Sequence, residues 1–333
     1  MSYKQATDIP NLAIWVPTYN RPREVEQLVS QARNLGLTRR YDFIISDNGS
    51  EDLFDLDRTG DQQERLIVKQ RGCNLSAGAN FLRAFEETST EWVHIMSDDD
   101  AFSVNYTEVV DACICQCDES VIAIKFDTGL FGKQIDGRHS TLLSAVSDIG
   151  TSEIGDWFNN LLLISGWIFR REEYLRYIGK AYLGYGTKLS HILPPLACCD
   201  AENKQIFFSA EQPVMFNNAN DDGWPRAPSW TEMCLTTQLG YGYLSSYNRR
   251  ALYHCLFEGK SDRLFAKILR IRAFYDKAQC GIHWTNILLA LSSISLRFCV
   301  LTTIMMPFLW IPVGLWPKRL VRKLGGIGSV ERW

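Results

Sequence analysis

Residues 91–102, with the sequence EWVHIMSDDDAF, place three consecutive aspartates directly after a short apolar run. The apolar run has the length and composition of a buried β-strand. Three adjacent carboxylates repel one another and are costly to remove from water, so a fold that brings them near its interior must supply a cation or hydrogen-bond donors. A solvated turn is the alternative. The stretch therefore predicts a strand that ends either at a charged site or at an exposed turn.

Further apolar runs of strand length and β-branched content occur at residues 12–16, 43–46, 66–69 and 121–126. Two stretches between them have the helical pattern, PREVEQLVSQARNLG at 22–36 and SAGANFLRAFEETS at 76–89. The first begins with a proline, which suits the first helical turn, and stops at a glycine. This alternation predicts an α/β fold with a mostly parallel central sheet flanked by helices. In such sheets ligands bind beyond the carboxyl ends of the strands.

Polar sequences follow three of the predicted strands: PTYNRP at 17–22, DNGSED at 47–52 and the aspartates at 98–100. If the chain stays extended, Asp98 and Asp100 point to one side of the sheet and Asp99 to the other. Carboxylate oxygens are the ligands that Mg²⁺ and Mn²⁺ prefer, and water and phosphate oxygens complete their coordination. Such an ion would neutralise a diphosphate leaving group as its bond to carbon breaks.

Composition and motifs exclude several classes of protein. The chain has 333 residues, of which 46% are apolar and 22% charged, as in ordinary globular proteins. Its ten cysteines follow no disulfide-framework spacing, and residues 1–20 lack the pattern of a signal peptide, so we expect a reducing, cytosolic environment. No Gly-x-Gly-x-x-Gly or Walker sequence is present, so dinucleotide dehydrogenases and P-loop kinases fit poorly.

The C-terminal part of the chain differs from the rest in charge. Residues 1–249 carry 22 Lys/Arg against 34 Asp/Glu, whereas residues 250–333 carry 13 against 4. The stretch 298–316 is uncharged, is long enough to cross a bilayer and is followed by KRLVRK, but prolines at 307 and 312 would interrupt a straight helix. We expect a helical appendage at the cytoplasmic face of the membrane, peripheral or re-entrant. A helical cap packed on the domain is the alternative.

Four motifs in a fixed order carry a family resemblance. They are VPTYNRP at 16–22, ISDNGSED at 45–52, NLSAGANFLRAF at 74–85 and WVHIMSDDDAF at 92–102. Together they resemble the family-2 glycosyltransferases, whose nucleotide-sugar-binding domain has the GT-A fold. Two later stretches, SGWIFRREEYL at 165–175 and GTKLSHILPPL at 186–196, are similar to members that build bacterial surface polysaccharides.

The resemblance implies roles for particular residues. The donor-binding set is Thr18, Tyr19, Asp47, Asn74, Gly78, Asp98 and Asp99, with Asn80 in the same region as Asn74. Thr18 and Tyr19 lie beside the nucleotide base, and Asp47 accepts a hydrogen bond from it. An Asx-turn is the alternative for Asp47. In the family's Asp-x-Asp motif, Asp98 lies near the ribose and Asp100 on the metal, so Asp100 and Asp98 are the metal ligands, for Mg²⁺ or Mn²⁺.

The catalytic base is the part of the site that the sequence leaves open. An inverting transferase needs a group that takes the proton of the acceptor hydroxyl. Many relatives supply it from a Glu-Asp pair or a single aspartate in the second half of the domain, and no Glu-Asp pair follows residue 52. The candidates are Asp200, His191, Glu153 and Asp156. His191 has a second interpretation, as a histidine packed in the interior.

We therefore expect two regions and one activity. Residues 1–250 form a GT-A catalytic domain, with a nucleotide-sugar half at 10–126 and an acceptor half at 127–250, and residues 251–333 form the membrane-associating appendage. The resemblance implies transfer of a sugar from a nucleotide-diphosphate-sugar to a glycan acceptor, polyprenyl-linked, with no nucleic-acid partner. Two alternatives are a non-catalytic nucleotide-sugar-binding protein and a nucleotidyltransferase. The latter normally has a Gly-rich phosphate loop after strand one, where PTYNRP has no glycine.

Overall fold

A computed structural model describes residues 10–51, 63–129, 135–141, 144–145, 160–161, 163–183 and 190–216. All of them belong to the first of the chain's two compact units, residues 1–224. The predicted appendage at 251–333, the apolar stretch at 298–316, Glu153 and Asp156 lie outside the described residues. The predicted domain boundary near residue 250 stays a prediction.

The described ranges contain ten strands and seven helices. The strands are β1 Leu12–Thr18, β2 Asp42–Asp47, β3 Leu66–Gln70, β4 Trp92–Ile95, β5 Ala101–Phe102, β6 Val121–Phe126, β7 Gly137–His139, β8 Trp167–Arg170, β9 Gln205–Ser209 and β10 Val214–Met215. The helices are α1 Pro22–Asn34, α2 Leu37–Arg40, α3 Ala77–Glu87, α4 Tyr106–Cys115, α5 Arg171–Arg176, α6 Ile178–Leu183 and α7 Leu193–Glu202. A 3₁₀ turn, Ile164–Gly166, precedes β8.

Eight strands form one sheet in the order β3-β2-β1-β4-β8-β6-β9-β7. Strands β1 to β4 are parallel neighbours, β8 runs antiparallel to both β4 and β6, and β9 returns to the common direction beside β6. The edge strand β7 is antiparallel to β9, and β5 and β10 form a separate short ribbon. The predicted α/β fold with a mostly parallel sheet is therefore confirmed.

The central strands have unbroken apolar sequences because almost every residue in them is buried. All residues of β4 and β6 are buried, and so is almost every residue of β1. A parallel sheet covered by helices on both faces requires this pattern. Helix α1 contributes Val25, Leu28, Val29 and Ala32, which recur at the spacing of one helical face. Its first residue is the predicted proline, and it ends two residues before Gly36.

The residues after β8 begin a new helix. The chain passes directly from β8 into α5, whose first turn contains Glu172 and Glu173, acids that favour a helix amino end. No helix in the described ranges combines the length and apolar character that crossing a bilayer requires.

Candidate active site

The loops after β1, β2 and β4 meet at one edge of the sheet. Thr18 and Asp47 are register partners at the ends of β1 and β2, and the backbone N–H of Asn48 donates to the Thr18 carbonyl at 2.9 Å. On the other side of β1, the Met96 N–H donates to the Trp15 carbonyl at 2.9 Å and leads the chain into the three aspartates. The sequence motifs at 17–22, 47–52 and 98–100 are thus neighbours, as the parallel sheet predicts.

The three aspartates do not continue β4 in an extended conformation. The chain turns at Asp98 and Asp99, and the Asp100 N–H points back to the Ser97 carbonyl at 3.4 Å. The extended chain on which a shared side for Asp98 and Asp100 depended is therefore not present. Asp98 and Asp99 instead share a hydrogen-bond partner, and Asp100 has a different one. In addition, the hydroxyls of Thr18, Ser97 and Ser165 donate to Asp98, Asp99 and Asp100 respectively. These donors reduce the cost of holding three charges together.

Arg21 and Thr18 hold the first two carboxylates. Thr18 Oγ1 donates to Asp98 Oδ2 at 2.6 Å, and Arg21 Nη1 lies 2.9 Å from Asp98 Oδ1 and 3.0 Å from Asp99 Oδ2. Asp98 is only 6% exposed. Burial raises its pKa above the ordinary value, although the bonds from Thr18 and Arg21 oppose that rise. Burial also disfavours the Arg21 charge, but the two carboxylates outweigh it and raise the pKa of Arg21.

Ser165 holds the third carboxylate from the turn before β8. Its Oγ donates to Asp100 Oδ2 at 2.6 Å and accepts the Ser97 N–H at 2.9 Å. Its carbonyl oxygen lies 2.8 Å from His94 Nε2, whose other ring nitrogen is 2.6 Å from the Tyr106 hydroxyl. Because a carbonyl only accepts, His94 carries its proton on Nε2. Burial lowers the pKa of His94 to about 4, so the ring is neutral near pH 7.

Asp47 lies in a tight turn at the end of β2. Its carboxylate accepts the N–H of Ser50 at 3.2 Å and also the Ser50 hydroxyl, which is the local turn considered as its alternative. Gly49 has a φ of +83°, and a Cβ there would lie 2.7 Å from the Cys73 carbonyl carbon. Only glycine therefore fits this close approach between the two loops.

The loop before α3 is fixed by asparagines. Asn48 Nδ2 donates to Asn74 Oδ1 at 2.8 Å, which places Asn74 beside the end of β2. Asn80 is buried, and it exchanges two hydrogen bonds with Ser46, at 2.6 and 2.7 Å. Asn80 therefore joins α3 to β2.

Tyr19 and Gly78 complete the donor-side set. Tyr19, in the loop after β1, is 41% exposed and leaves a ring face for stacking. Gly78 lies in the first turn of α3, where a small residue allows a ligand to approach the backbone.

The structure places the two described candidates for the catalytic base in different surroundings. Asp200 lies near the end of α7 that leads to the amino ends of β9 and β6, where the Gln205 N–H donates to the Ser120 carbonyl at 2.8 Å. This is the edge of the sheet opposite the aspartates. His191 is buried, and its ring packs edge-on against Phe81 and Trp167, as the alternative interpretation predicts.

A buried polar cluster that no sequence motif indicates lies at the carboxyl end of β6. Lys125 Nζ donates to Asn160 Oδ1 at 3.0 Å, and Asn160 Nδ2 donates to Asp127 Oδ1 at 3.0 Å. Burial lowers the pKa of Lys125 to about 7, and Asp127 partly offsets this. A Cβ at Gly166 would lie 2.5 Å from Lys125 Nζ, so the cluster supports the turn that carries Ser165.

The residues at this edge fit a divalent cation. Three aspartates supply carboxylate oxygens, which are the ligands that Mg²⁺ and Mn²⁺ select. A positively charged guanidinium already bridges two of them, which shows that the site is arranged around positive charge. The sequence missed Arg21, Ser165 and His94 as parts of this arrangement, because their contacts join distant segments.

Comparisons with known proteins relate part of the chain to a known family. Residues 13–148 match the model for glycosyl transferase family 2, a range that contains β1 to β6 and the three aspartates. No curated protein sequence matches the chain.

Two solved structures are similar to the chain. One is the mannosyltransferase PcManGT from Pyrobaculum calidifontis in complex with GDP-Man and Mn²⁺, with a TM-score of 0.52 and 14% identity over 91% of this chain and 86% of that one. The other is TarS residues 1–349 from S. aureus in complex with UDP, with a TM-score of 0.52 and 15% identity over 90% of this chain and 86% of that one. At these identities the similarity shows the shared GT-A fold. Together with the match of residues 13–148 to the family model, it leads to one conclusion: the chain is a glycosyltransferase, and this part of it is similar to glycosyl transferase family 2.

Proposed function

We propose that this glycosyltransferase transfers a sugar from a nucleotide-diphosphate-sugar to a lipid-linked glycan acceptor, and that Mg²⁺ or Mn²⁺ is required. The observation that carries the proposal is the arrangement of the three aspartates at the carboxyl end of β4. Each carboxylate has its own hydrogen-bond donor, and Arg21 adds a positive charge between two of them. A solvated turn would not need this degree of support.

The chain's own residues prepare the site for the donor. Asp98 and Asp100 would hold the metal, which supplies charge neutralisation for the departing diphosphate. Thr18 fixes the orientation of Asp98, and Ser165 fixes that of Asp100. Side chains that are oriented before the ligand arrives lose little entropy when it binds.

Two similar structures support a nucleotide diphosphate as part of the donor. The mannosyltransferase was solved with GDP-Man and Mn²⁺, and TarS was solved with UDP. In this chain, the exposed Tyr19 follows β1 and Asp47 ends β2, at the same edge of the sheet as the aspartates, where the base would bind. We propose that Tyr19 stacks on the base and that Asp47 accepts from it.

The proposed acceptor and location depend on the C-terminal sequence. The uncharged stretch at 298–316 and the basic residues after it favour attraction to an anionic cytoplasmic leaflet. An enzyme held there would meet a polyprenyl-linked acceptor of surface polysaccharide synthesis. Protease protection in inverted vesicles tests the location, because cleavage near Lys318 from the cytoplasmic side contradicts a single crossing of the membrane.

A donor panel tests the activity and its metal requirement. Thermal unfolding would be followed with UDP-, GDP-, CDP- and dTDP-sugars, with and without Mn²⁺, for the wild type, Asp100→Ala and the control Glu26→Ala, which removes an exposed acid on α1. One nucleotide should stabilise the wild type and the control only with Mn²⁺, by about 2.7 kcal/mol at a hundredfold excess over Kd. Asp100→Ala should lose this effect. Equal stabilisation of all three proteins, or none with any donor, would contradict the proposed site.

A further inference from the structure

The guanidinium of Arg21 lies between the carboxylates of Asp98 and Asp99. Its Nη1 atom lies within hydrogen-bond distance of Asp98 Oδ1 and of Asp99 Oδ2, at 2.9 and 3.0 Å. One nitrogen therefore bridges two carboxylates from adjacent residues. A divalent metal bridges carboxylate oxygens in a similar way, although at shorter distances.

We propose that Arg21 is an internal counter-cation that competes with the divalent metal for Asp98, which is both a partner of Arg21 and a proposed metal ligand. The inference rests on the proposed metal site and adds a residue that controls its affinity. A metal on Asp98 and a guanidinium bonded to the same carboxylate would lie within a few ångströms of each other, and their repulsion is substantial at a partly buried site. The binding of one cation therefore weakens the binding of the other.

The burial of Asp98 and of Arg21 shows which of these two side chains can move. Asp98 is almost fully buried, and Thr18 holds its other oxygen at 2.6 Å. The Arg21 side chain is 36% exposed and extends from the loop that joins β1 to α1. Arg21 can therefore turn toward solvent without disturbing the sheet, whereas Asp98 cannot. Because coupling between two ligands of one site is reciprocal, metal binding must also loosen Arg21.

Metal binding without donor tests the competition. Free Mn²⁺ would be counted by electron paramagnetic resonance in titrations of the wild type, Arg21→Gln and Arg23→Gln. Arg23 is an exposed residue two positions away, so its variant removes the same charge without removing the bridge. We expect Arg21→Gln to bind Mn²⁺ about tenfold more tightly than the wild type, and Arg23→Gln to stay within about twofold, because an exposed charge is screened.

Two outcomes of this titration would contradict the inference in different ways. If the wild type and Arg21→Gln bind Mn²⁺ equally, the metal site stands and the competition is wrong. If neither protein binds Mn²⁺, both the proposed metal site and the competition are wrong.

A measurement on the wild type avoids any effect of the substitution on folding. A dicarbonyl reagent that modifies arginine would be applied with and without saturating Mg²⁺, and the modification of each arginine would be followed by peptide mass spectrometry. Mg²⁺ should speed the modification of Arg21 several-fold by releasing it from the aspartates, while Arg23 serves as the internal control. An unchanged Arg21 rate under conditions in which the metal binds would overturn the competition.

Discussion

Ser165 Oγ lies 2.6 Å from Asp100 Oδ2 and joins the turn before β8 to the acidic loop after β4. The same oxygen accepts the Ser97 N–H, so one hydroxyl fixes both the backbone and a carboxylate of that loop. Ser165 is fully buried, and its carbonyl is held by His94. A residue of the predicted acceptor half thus positions a predicted metal ligand of the predicted nucleotide-sugar half.

Replacement of Ser165 by alanine should weaken metal binding and stability together. The Ser97 N–H and the Asp100 carboxylate each lose a buried partner, so we expect the free energy of unfolding to fall by about 1–3 kcal/mol. The Mn²⁺ affinity should fall about fivefold because Asp100 loses its fixed orientation. Chemical denaturation and Mn²⁺ titration measure the two effects. Ser30→Ala, on the exposed face of α1, is the control, and an Mn²⁺ affinity equal to that control would argue against a positioning role.

Asn80 should affect stability more than donor binding. Its two bonds to Ser46 are buried, so Asn80→Ala should cost about 2–4 kcal/mol of unfolding free energy in urea. The donor affinity of the folded variant should stay within about twofold of the wild-type value, because the hydrogen bonds of Asn80 join α3 to β2 and do not contact the ligand. Asn34→Ala, at the exposed end of α1, should change stability by less than about 0.5 kcal/mol. A large loss of donor affinity with unchanged stability would show that Asn80 contributes to donor binding.

The sequence predicted the regular elements well because their signals are local. The run 121–126 matches β6 at both ends, and the proline at 22 marks the start of α1. The edge of the sheet that carries the site followed from the parallel order of the strands. The contacts at that edge could not be predicted in the same way, because Arg21 and Ser165 reach the aspartates across 77 and 65 residues of sequence.

The errors have the same origin. The shared side considered for Asp98 and Asp100 required an extended chain, whereas the structure has a turn in which the three carboxylates accept from Thr18, Ser97 and Ser165. Asp200 was chosen by residue type, and only the direction of α7 shows that it lies at the opposite edge of the sheet. No local pattern shows that Lys125 belongs to a buried cluster, since its side-chain partner Asn160 is 35 residues away in the sequence.

Gly49 and Gly36 form a matched pair for testing the close approach of the donor loops. Both have positive φ, +83° and +71°, but a Cβ meets the Cys73 backbone at 2.7 Å only at Gly49, whereas Gly36 faces open space. Gly36→Ala should cost about 1 kcal/mol, the penalty of the left-handed conformation alone. Gly49→Ala should cost about 2 kcal/mol more, because the loop after β2 must move away from Cys73. Equal losses of unfolding free energy for the two variants, measured by urea denaturation, would show that the loop after β2 can move away from Cys73 at no cost.

Lys125 should make the stability of the protein depend on pH above neutrality. Burial lowers its pKa from 10.5 to about 7 in the folded chain, so between these values the unfolded chain binds more protons than the folded one. The free energy of unfolding therefore rises with pH across this window, by up to about 1.4 kcal/mol per pH unit, and the gain is lost as the pH falls toward 7. Lys125→Met keeps the length of the side chain but removes the titration. The free energy of unfolding would be measured for both proteins by urea denaturation from pH 7 to 10. Subtracting one from the other cancels the titration of all other groups. The difference should grow with pH in favour of the wild type. A difference that does not change with pH would mean that Lys125 keeps its proton in the folded protein throughout this range.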